Sequence, residues 1–201
     1  MDHPSVAIAS FLKPSARVLN ALSRRHMHLA MRYSSEIGGA AAGDMFVIGN
    51  AKSSWHKIGE QISALLIFTN KTFSETGEVK LASRQWHEPP SVDFNLLSDK
   101  RDLDRLMDAI RRLAPLFQDP AMQAVTSNAF PAAYSDKVRQ VGAITTKNKI
   151  LTGIGARLMD GPKFLRDHLI DNFLMEDFTL EEVCRDDERA EAFIRRAAVG
   201  V

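Results

Sequence analysis

Six histidines, one cysteine and a scatter of arginines are the residues of this 201-residue chain best suited to chemistry, and their spacing limits what that chemistry is. His26 and His28 lie two residues apart, which on a strand puts both on one face, as in a pair of metal ligands; no third ligand accompanies them. Cys184 sits in a charged segment between Glu182 and Arg185, with no second cysteine to make a disulfide or a metal site, so a reducing compartment is the simpler setting. Arg32 offers a charge to a substrate carboxylate, but the favoured reading is that it pairs with an acid or faces solvent. Trp55 and His56, in KSSWHKIGE, read as a pocket rim or as a loop anchored by its indole. No acid occurs between His26 and Tyr33, which disfavours a quaternary ammonium ligand on that segment. The charge run from Glu181 to Glu188 reads as a solvated loop and helix start.

The elements that must position these residues follow from the hydrophobic pattern. Val6, Ile8, Phe11 and Leu12 mark a first strand, Met27 to Tyr33 a second, Met45 to Ile48 a third, Ile62 to Thr69 a fourth and Glu78 to Leu81 a fifth. Glycines punctuate them, and Thr76-Gly77 stands where a hairpin between the fourth and fifth would turn. Short connections favour antiparallel pairing. Val18, Leu19 and Leu22 suggest a helix from Ser15 to about Arg25. After Pro89-Pro90, Val92, Phe94 and Leu96 alternate as in a half-buried strand. The period then changes: Asp99 is placed to cap a helix, Asp102 adds charge to its first turn, and Leu103, Leu106, Met107, Ile110 and Leu113 form its apolar stripe. Helical patterns continue with Val138 and Val141 after Ser135, with Ile150, Ile154 and Leu158, and with Leu165, Leu169 and Phe173 after Asp160-Gly161-Pro162. A last helix, from about Asp186 to Ala198, buries Ala190, Phe193, Ile194 and Ala197. This order of strands, then helices, predicts a single α+β domain over 1–201, strand-rich in 1–98 and helix-rich in 99–201. Its architecture is an antiparallel sheet of about five to six strands with helices packed on one face.

Composition excludes several classes of function. With 45% hydrophobic and 25% charged residues the chain is an ordinary globular domain. Its 26 basic and 25 acidic residues are mixed along the sequence, giving a net charge of +1 and no electrostatic case for nucleic acid or anionic membrane. No apolar run is long enough to span a bilayer, and MDHPSVAIAS carries an acid and a histidine where a signal peptide would carry Lys or Arg. A cytoplasmic protein is expected; if the sequence is an internal fragment, the true N-terminus lies outside it.

Several segments, in order, resemble the substrate-binding portion of the glucose-methanol-choline oxidoreductases, flavoproteins that oxidise alcohols with FAD. DHPS, Asp2 to Ser5, resembles the end of the family's N-L-x-D-H segment beside the flavin. RYSS, Arg32 to Ser35, and GDMF, Gly43 to Phe46, resemble adjacent strands of its substrate-side sheet. FTNKTFSETGEVKL, Phe68 to Leu81, is similar to its N-K-x-x-S-x-G-x-V-x-L hairpin, and PPSVDFNLLSDKRDLDRL, Pro89 to Leu106, resembles its most recognisable stretch outside the cofactor motifs.

The resemblance implies FAD in the full-length protein and a small-molecule alcohol, aromatic or aliphatic, as substrate. It implies Asp2 and His3 near the cofactor. It also implies a substrate pocket drawn from Phe68, Met45, Val47, Leu66, Arg32 and Val201, with core packing as the alternative for the apolar ones. The G-x-G-x-x-G fingerprint that would hold the FAD pyrophosphate is absent, so an FAD-binding domain is a missing partner. RRAAVGV, Arg195 to Val201, resembles the helix end before the family's W-H-x-S-G-T motif, which puts the catalytic histidine just beyond Val201. None of the histidines here matches it, so no catalytic residue is assigned and no metal is required. By itself the chain is expected to be inactive; a stand-alone binding module and a non-functional remnant with an exposed flavin-facing surface are the alternatives.

Overall fold

The computed structural model describes residues 3–17, 25–175 and 177–200. Strand β1 (Pro4–Leu12) is an interior strand of the main sheet, and residues on both of its faces are buried. It pairs antiparallel with β4 (Ile62–Thr69) on one side and β7 (Thr126–Ala132) on the other, while β8 (Val199–Gly200) pairs with its beginning. Beyond β4 lie β3 (Met45–Asn50) and then β2 (Met27–Tyr33) at the edge, so the order is β2-β3-β4-β1-β7. All pairings are antiparallel.

Helix α1 (Lys100–Leu113) crosses one face of this sheet. Asp99 caps it by accepting the Arg101 backbone N–H, and its stripe of Leu103, Leu106, Ile110 and Leu113 is buried against Val6, Ile8, Met45, Val47 and Ile67. Each such side chain removed from water contributes about 1.5–3 kcal/mol. Helices α6 (Leu180–Arg185) and α7 (Asp187–Ala197) complete this layer, the first held by a reciprocal Thr179–Glu182 capping box and the second by Asp186. Ala190, Phe193, Ile194 and Ala197 are buried, as their spacing requires.

Four short or weakly patterned helices fill the connections: α2 (Pro120–Val125), α3 (Asp136–Gly142), α4 (Thr146–Met159) and α5 (Lys163–Leu169). Ser135 caps α3 as anticipated. Through Met159 and Ile170, this group covers Ala9, Phe11, Ile62 and Phe130 at one end of the opposite face of the sheet. Among the described residues, the other end of that face has no helix over it.

Several expectations change. The strand Glu78–Lys80 (β5) does not pair with β4; it pairs with Ser91–Asp93 (β6) in a separate two-stranded ribbon, so Gly77 lies in a loop and not in a hairpin turn. That ribbon buries none of its residues, and even its apolar Val79 and Val92 are 70% and 45% exposed. On α4, Ile150 and Ile154 point outward at 59% and 52% exposure, and Thr152, Ala156 and Met159 face the protein instead. After α5 a π-turn at Ile170–Leu174 shifts the helical phase, so Ile170 is buried where Phe173 was expected. Strand β7 lies in the half read as wholly helical. Val18, Leu19 and Leu22, expected on a helix, lie outside the described residues.

Candidate functional site

The register of the sheet divides the expected pocket residues between its two faces. Directly paired residues share a face. Arg32 pairs with Phe46, Phe46 with Phe68, and Phe68 with Ser5, so these four form one row across β2, β3, β4 and β1. Ala30, Ile48, Leu66 and Ala7 form the next row on the same face. Leu66 and Phe68 stand on a half-buried surface that no helix among the described residues covers. Met45 and Val47 take the core-packing alternative. They stand on the opposite face, 0% and 1% exposed, packed beneath α1, and cannot line the same pocket; Phe46 and Ile48 take their places.

An aromatic line runs along the open end. Phe46 and Phe68 have ring centroids 5.1 Å apart, and the His3 ring lies 6.3 Å from Phe68, each pair tilted. Ser5 is buried beside them, donating its hydroxyl to the Val199 carbonyl at 3.0 Å and so tying β8 to the start of β1. At the other end of the line is Arg32, exposed, whose Nε donates to the Gly43 carbonyl at 2.6 Å. Gly43 has φ of 66°, and a Cβ there would lie 2.6 Å from that Nε, so only glycine lets the guanidinium lie across this turn. Asp2 and Val201, the remaining expected site residues, lie outside the described residues.

Beneath this surface, on the helix side, a buried ionic cluster fixes the ends of the strands. Arg105 of α1 donates to Asp44 at 3.1 Å, to the Lys71 carbonyl at 2.7 Å and to Asp102; the three charged side chains are at most 1% exposed. Asp102 also accepts the backbone N–H groups of Phe73 and Ser74 at 3.0 and 2.8 Å and the Ser74 hydroxyl at 2.6 Å. Asp44 accepts from the Ser35 backbone and hydroxyl at 2.8 and 2.7 Å. Burial pushes the Asp44 carboxyl up, but the hydrogen bonds from Ser35 and Arg105 outweigh it and hold it below its ordinary value. The Phe73 ring is sandwiched between Arg101 and Arg105, at 3.7 and 4.9 Å. Sequence reasoning took Asp102 for a helix-end charge and missed the cluster. Its signal was two charges, Asp102 and Arg105, three apart on the apolar side of a helix beside Leu103 and Leu106.

Other chemistry-bearing residues are structural. His56 Nδ1 accepts the Gly59 N–H at 3.0 Å, and burial lowers its pKa. Trp55 donates to the Gly142 carbonyl at 2.8 Å, which anchors the KSSWHKIGE loop to α3. Burial pushes the Cys184 thiol up, away from nucleophilic character. His26 Nδ1 lies 3.3 Å from the Lys52 carbonyl, and the described residues contain no group of three or more His, Cys, Asp or Glu able to hold a metal ion. A cleft of about 1060 Å³ lies far from the aromatic line, between Lys13, Phe117, Asn128 and Thr179. It is open and mixed in polarity, and its Arg111 is committed to the Cys184 carbonyl and to Asp187, so the open sheet face is the stronger candidate. No helix among the described residues is long and apolar enough to cross a membrane.

Comparison with known proteins agrees with this geometry. Residues 73–155 match the family described as GMC oxidoreductase. The 5-(hydroxymethyl)furfural oxidase of Methylovorus sp. (strain MP688) is 32% identical over 127 residues, which cover 60% of this chain and 22% of that protein. A crystal structure of formate oxidase superposes with a TM-score of 0.51 at 16% identity, over 69% of this chain and 33% of the other. A variant of Aspergillus oryzae RIB40 formate oxidase, solved for the effect of its mutation on FAD modification, gives a TM-score of 0.51 at 15% identity over 65% of this chain and 32% of that one. At such identities the structural matches establish the fold. The chain spans about a fifth of the length of the curated relative and about a third of the solved chains.

Proposed function

We propose that the chain, which matches the glucose-methanol-choline oxidoreductase family over residues 73–155, forms the substrate-side wall of an FAD-dependent oxidoreductase acting on a primary alcohol, aromatic or aliphatic. The observation that carries this reading is the half-buried pair Phe46 and Phe68, with His3 beside Phe68, at the end of the sheet face that no helix among the described residues covers. A soluble domain leaves such a row half-exposed where a flat apolar partner is to lie on it.

The residues present fit one side of a flavin site. Phe46, Ile48, Leu66 and Phe68 supply an apolar floor that excludes water and orients a hydrocarbon group, and His3, beside Phe68, is the residue this reading turns toward the cofactor. They do not fit the other side: no glycine-rich strand-to-helix turn is available to receive a pyrophosphate. The FAD-binding domain is therefore a necessary partner, and the chain alone is inactive. When bound there, FAD supplies the hydride acceptor for the carbinol carbon. The near-neutral charge supports a reading without nucleic acid or membrane as partner, and the single half-buried cysteine supports a cytoplasmic setting.

The test is to prepare the 201-residue chain alone and, in a second form, joined to a dinucleotide-binding domain of this family and extended by the family's W-H-x-S-G-T segment, which carries the catalytic histidine. Alone it is expected to be colourless and to oxidise no alcohol. Joined, its flavin is expected to bleach anaerobically on addition of benzyl alcohol, and Phe68→Ala to slow that step. Stoichiometric FAD on the isolated chain would overturn the account, as would a loaded enzyme whose flavin no primary alcohol reduces.

A further inference from the structure

We infer that Arg32 forms a carboxylate-binding subsite at the far end of the aromatic line, so that the preferred substrates are aromatic alcohols carrying an anionic group opposite the hydroxymethyl carbon. The inference rests on the reading above, in which the open face receives the alcohol.

Three observations carry it. First, the row Arg32, Phe46, Phe68, Ser5 is continuous across four strands on the uncovered face, so a cation closes one end of a surface otherwise made of rings and small side chains. From β2 to β4 is two strand spacings, about 10 Å, the length of one aromatic ring with a substituent at each end. Second, the guanidinium is held in place without being neutralised. Its Nε is used by the Gly43 carbonyl, which leaves the two terminal NH₂ groups as a fork, and no acid forms an ion pair with it among the described residues. Of the two acids nearest in sequence, Glu36 forms no ion pair with Arg32 among the described residues, and Asp44 is buried and committed to Ser35 and Arg105. Third, the left-handed glycine at Gly43 leaves the space this arrangement needs, since a Cβ would collide with the arginine side chain.

The chemistry selects a carboxylate. A planar guanidinium offering two parallel N–H groups matches its two oxygens, and aromatic faces alongside accept the ring that joins it to the reacting carbon. Uncharged alcohols occupy the same floor without the anchor. Arg32 is in this sense a specificity residue and takes no part in bond-making.

Binding and turnover separate this inference from the one beneath it. The 201-residue chain, isotopically labelled, is titrated with para-(hydroxymethyl)benzoate and with its uncharged methyl ester, with the Arg32 Nε–H and the phenylalanine rings followed by NMR. The acid is expected to bind about tenfold more tightly than the ester and to lose that advantage in Arg32→Met and at high salt, with Arg32→Lys recovering part of it. In the flavin-loaded enzyme, Arg32→Met is expected to raise KM for the acid about tenfold and to leave benzyl alcohol within twofold. Equal binding of acid and ester to the unaltered chain overturns the subsite, whatever the variants do. Tight, Arg32-dependent binding of the acid with no flavin reduction by any alcohol keeps the subsite and overturns the alcohol-oxidising reading instead.

Discussion

The two faces of one sheet make opposite use of alternate residues on the same strands. On the helix side, Met45, Val47 and Ile67 are sealed under α1, and the strand ends are locked by Asp44, Arg105 and Asp102, each with charge-assisted partners. On the open side, Phe46, Ile48, Leu66 and Phe68, their immediate neighbours in sequence, remain half-exposed. One face fixes the strands so that the other can present a surface without having to hold the fold together. If that division is right, substitutions on the first face cost stability and substitutions on the second cost recognition.

The largest effect is expected at Asp102. Asp102→Ala leaves Arg105 short of one buried counter-charge and strands the Phe73 and Ser74 N–H groups, and is expected to destabilise by about 3–5 kcal/mol, read from the urea midpoint. A loss no greater than that of an open-face variant would break the comparison. Next is the neighbouring pair Met45 and Phe46: Met45→Ala is expected to cost about 2–5 kcal/mol through the cavity it leaves, and Phe46→Ala about 1 kcal/mol, since its ring is already partly in water. Reversal of that order would mean that the open face carries the core.

Acid is expected to act on the helix face first. Asp44 has its pKa lowered from 3.8, so the stability it contributes is complete above that value and is lost as pH falls through the lower folded value. Asp44→Asn is expected to flatten that acid limb of a denaturation series, whereas Arg32→Met leaves it unchanged. The smallest effect belongs to His56, whose folded pKa is depressed from 6.5 by burial. Folded chains then bind fewer protons than unfolded ones below that value, so a slight fall in stability is expected as pH drops from 7 toward 5. The NMR titration of its ring protons checks the direction.

How much of this was legible in the sequence varies with the strength of the pattern. Helices α1 and α7 were readable because both carry a cap and a full apolar stripe, Asp99 with Leu103, Leu106 and Ile110, and Asp186 with Ala190, Phe193 and Ile194. The strand Met45–Asn50 was readable as a strand but not in its parity: Met45, Phe46, Val47 and Ile48 are apolar without interruption, so nothing local says which pair faces the helices. That is why pocket lining and core packing both stayed open for Met45, Val47 and Leu66, until the register put Leu66 on one face and Met45 and Val47 on the other. Strand β7, SNAFPA after Thr126, was missed because it holds a proline and a left-handed Asn128 beside a bulge, features that argue against a strand and are tolerated only by the pairing with β1. Helix α4 misled for a different reason. Its most apolar residues face outward, and tertiary packing selected Thr152, Ala156 and Met159 for the interior.

Strand β1 has one more consequence, for the order in which the chain can be assembled. It is the first strand of the sheet in sequence and lies in its interior, and its partners are β4, β7 and β8. On a ribosome, Pro4–Leu12 would emerge with both hydrogen-bonding edges unpaired. One edge waits for Ile62–Thr69, and the other for Thr126–Ala132 and then Val199–Gly200. Such long-range closure makes folding slow and leaves an apolar nine-residue strand exposed in the meantime. The nascent chain therefore depends on late synthesis, or on a chaperone, to protect the strand around which the finished domain is built.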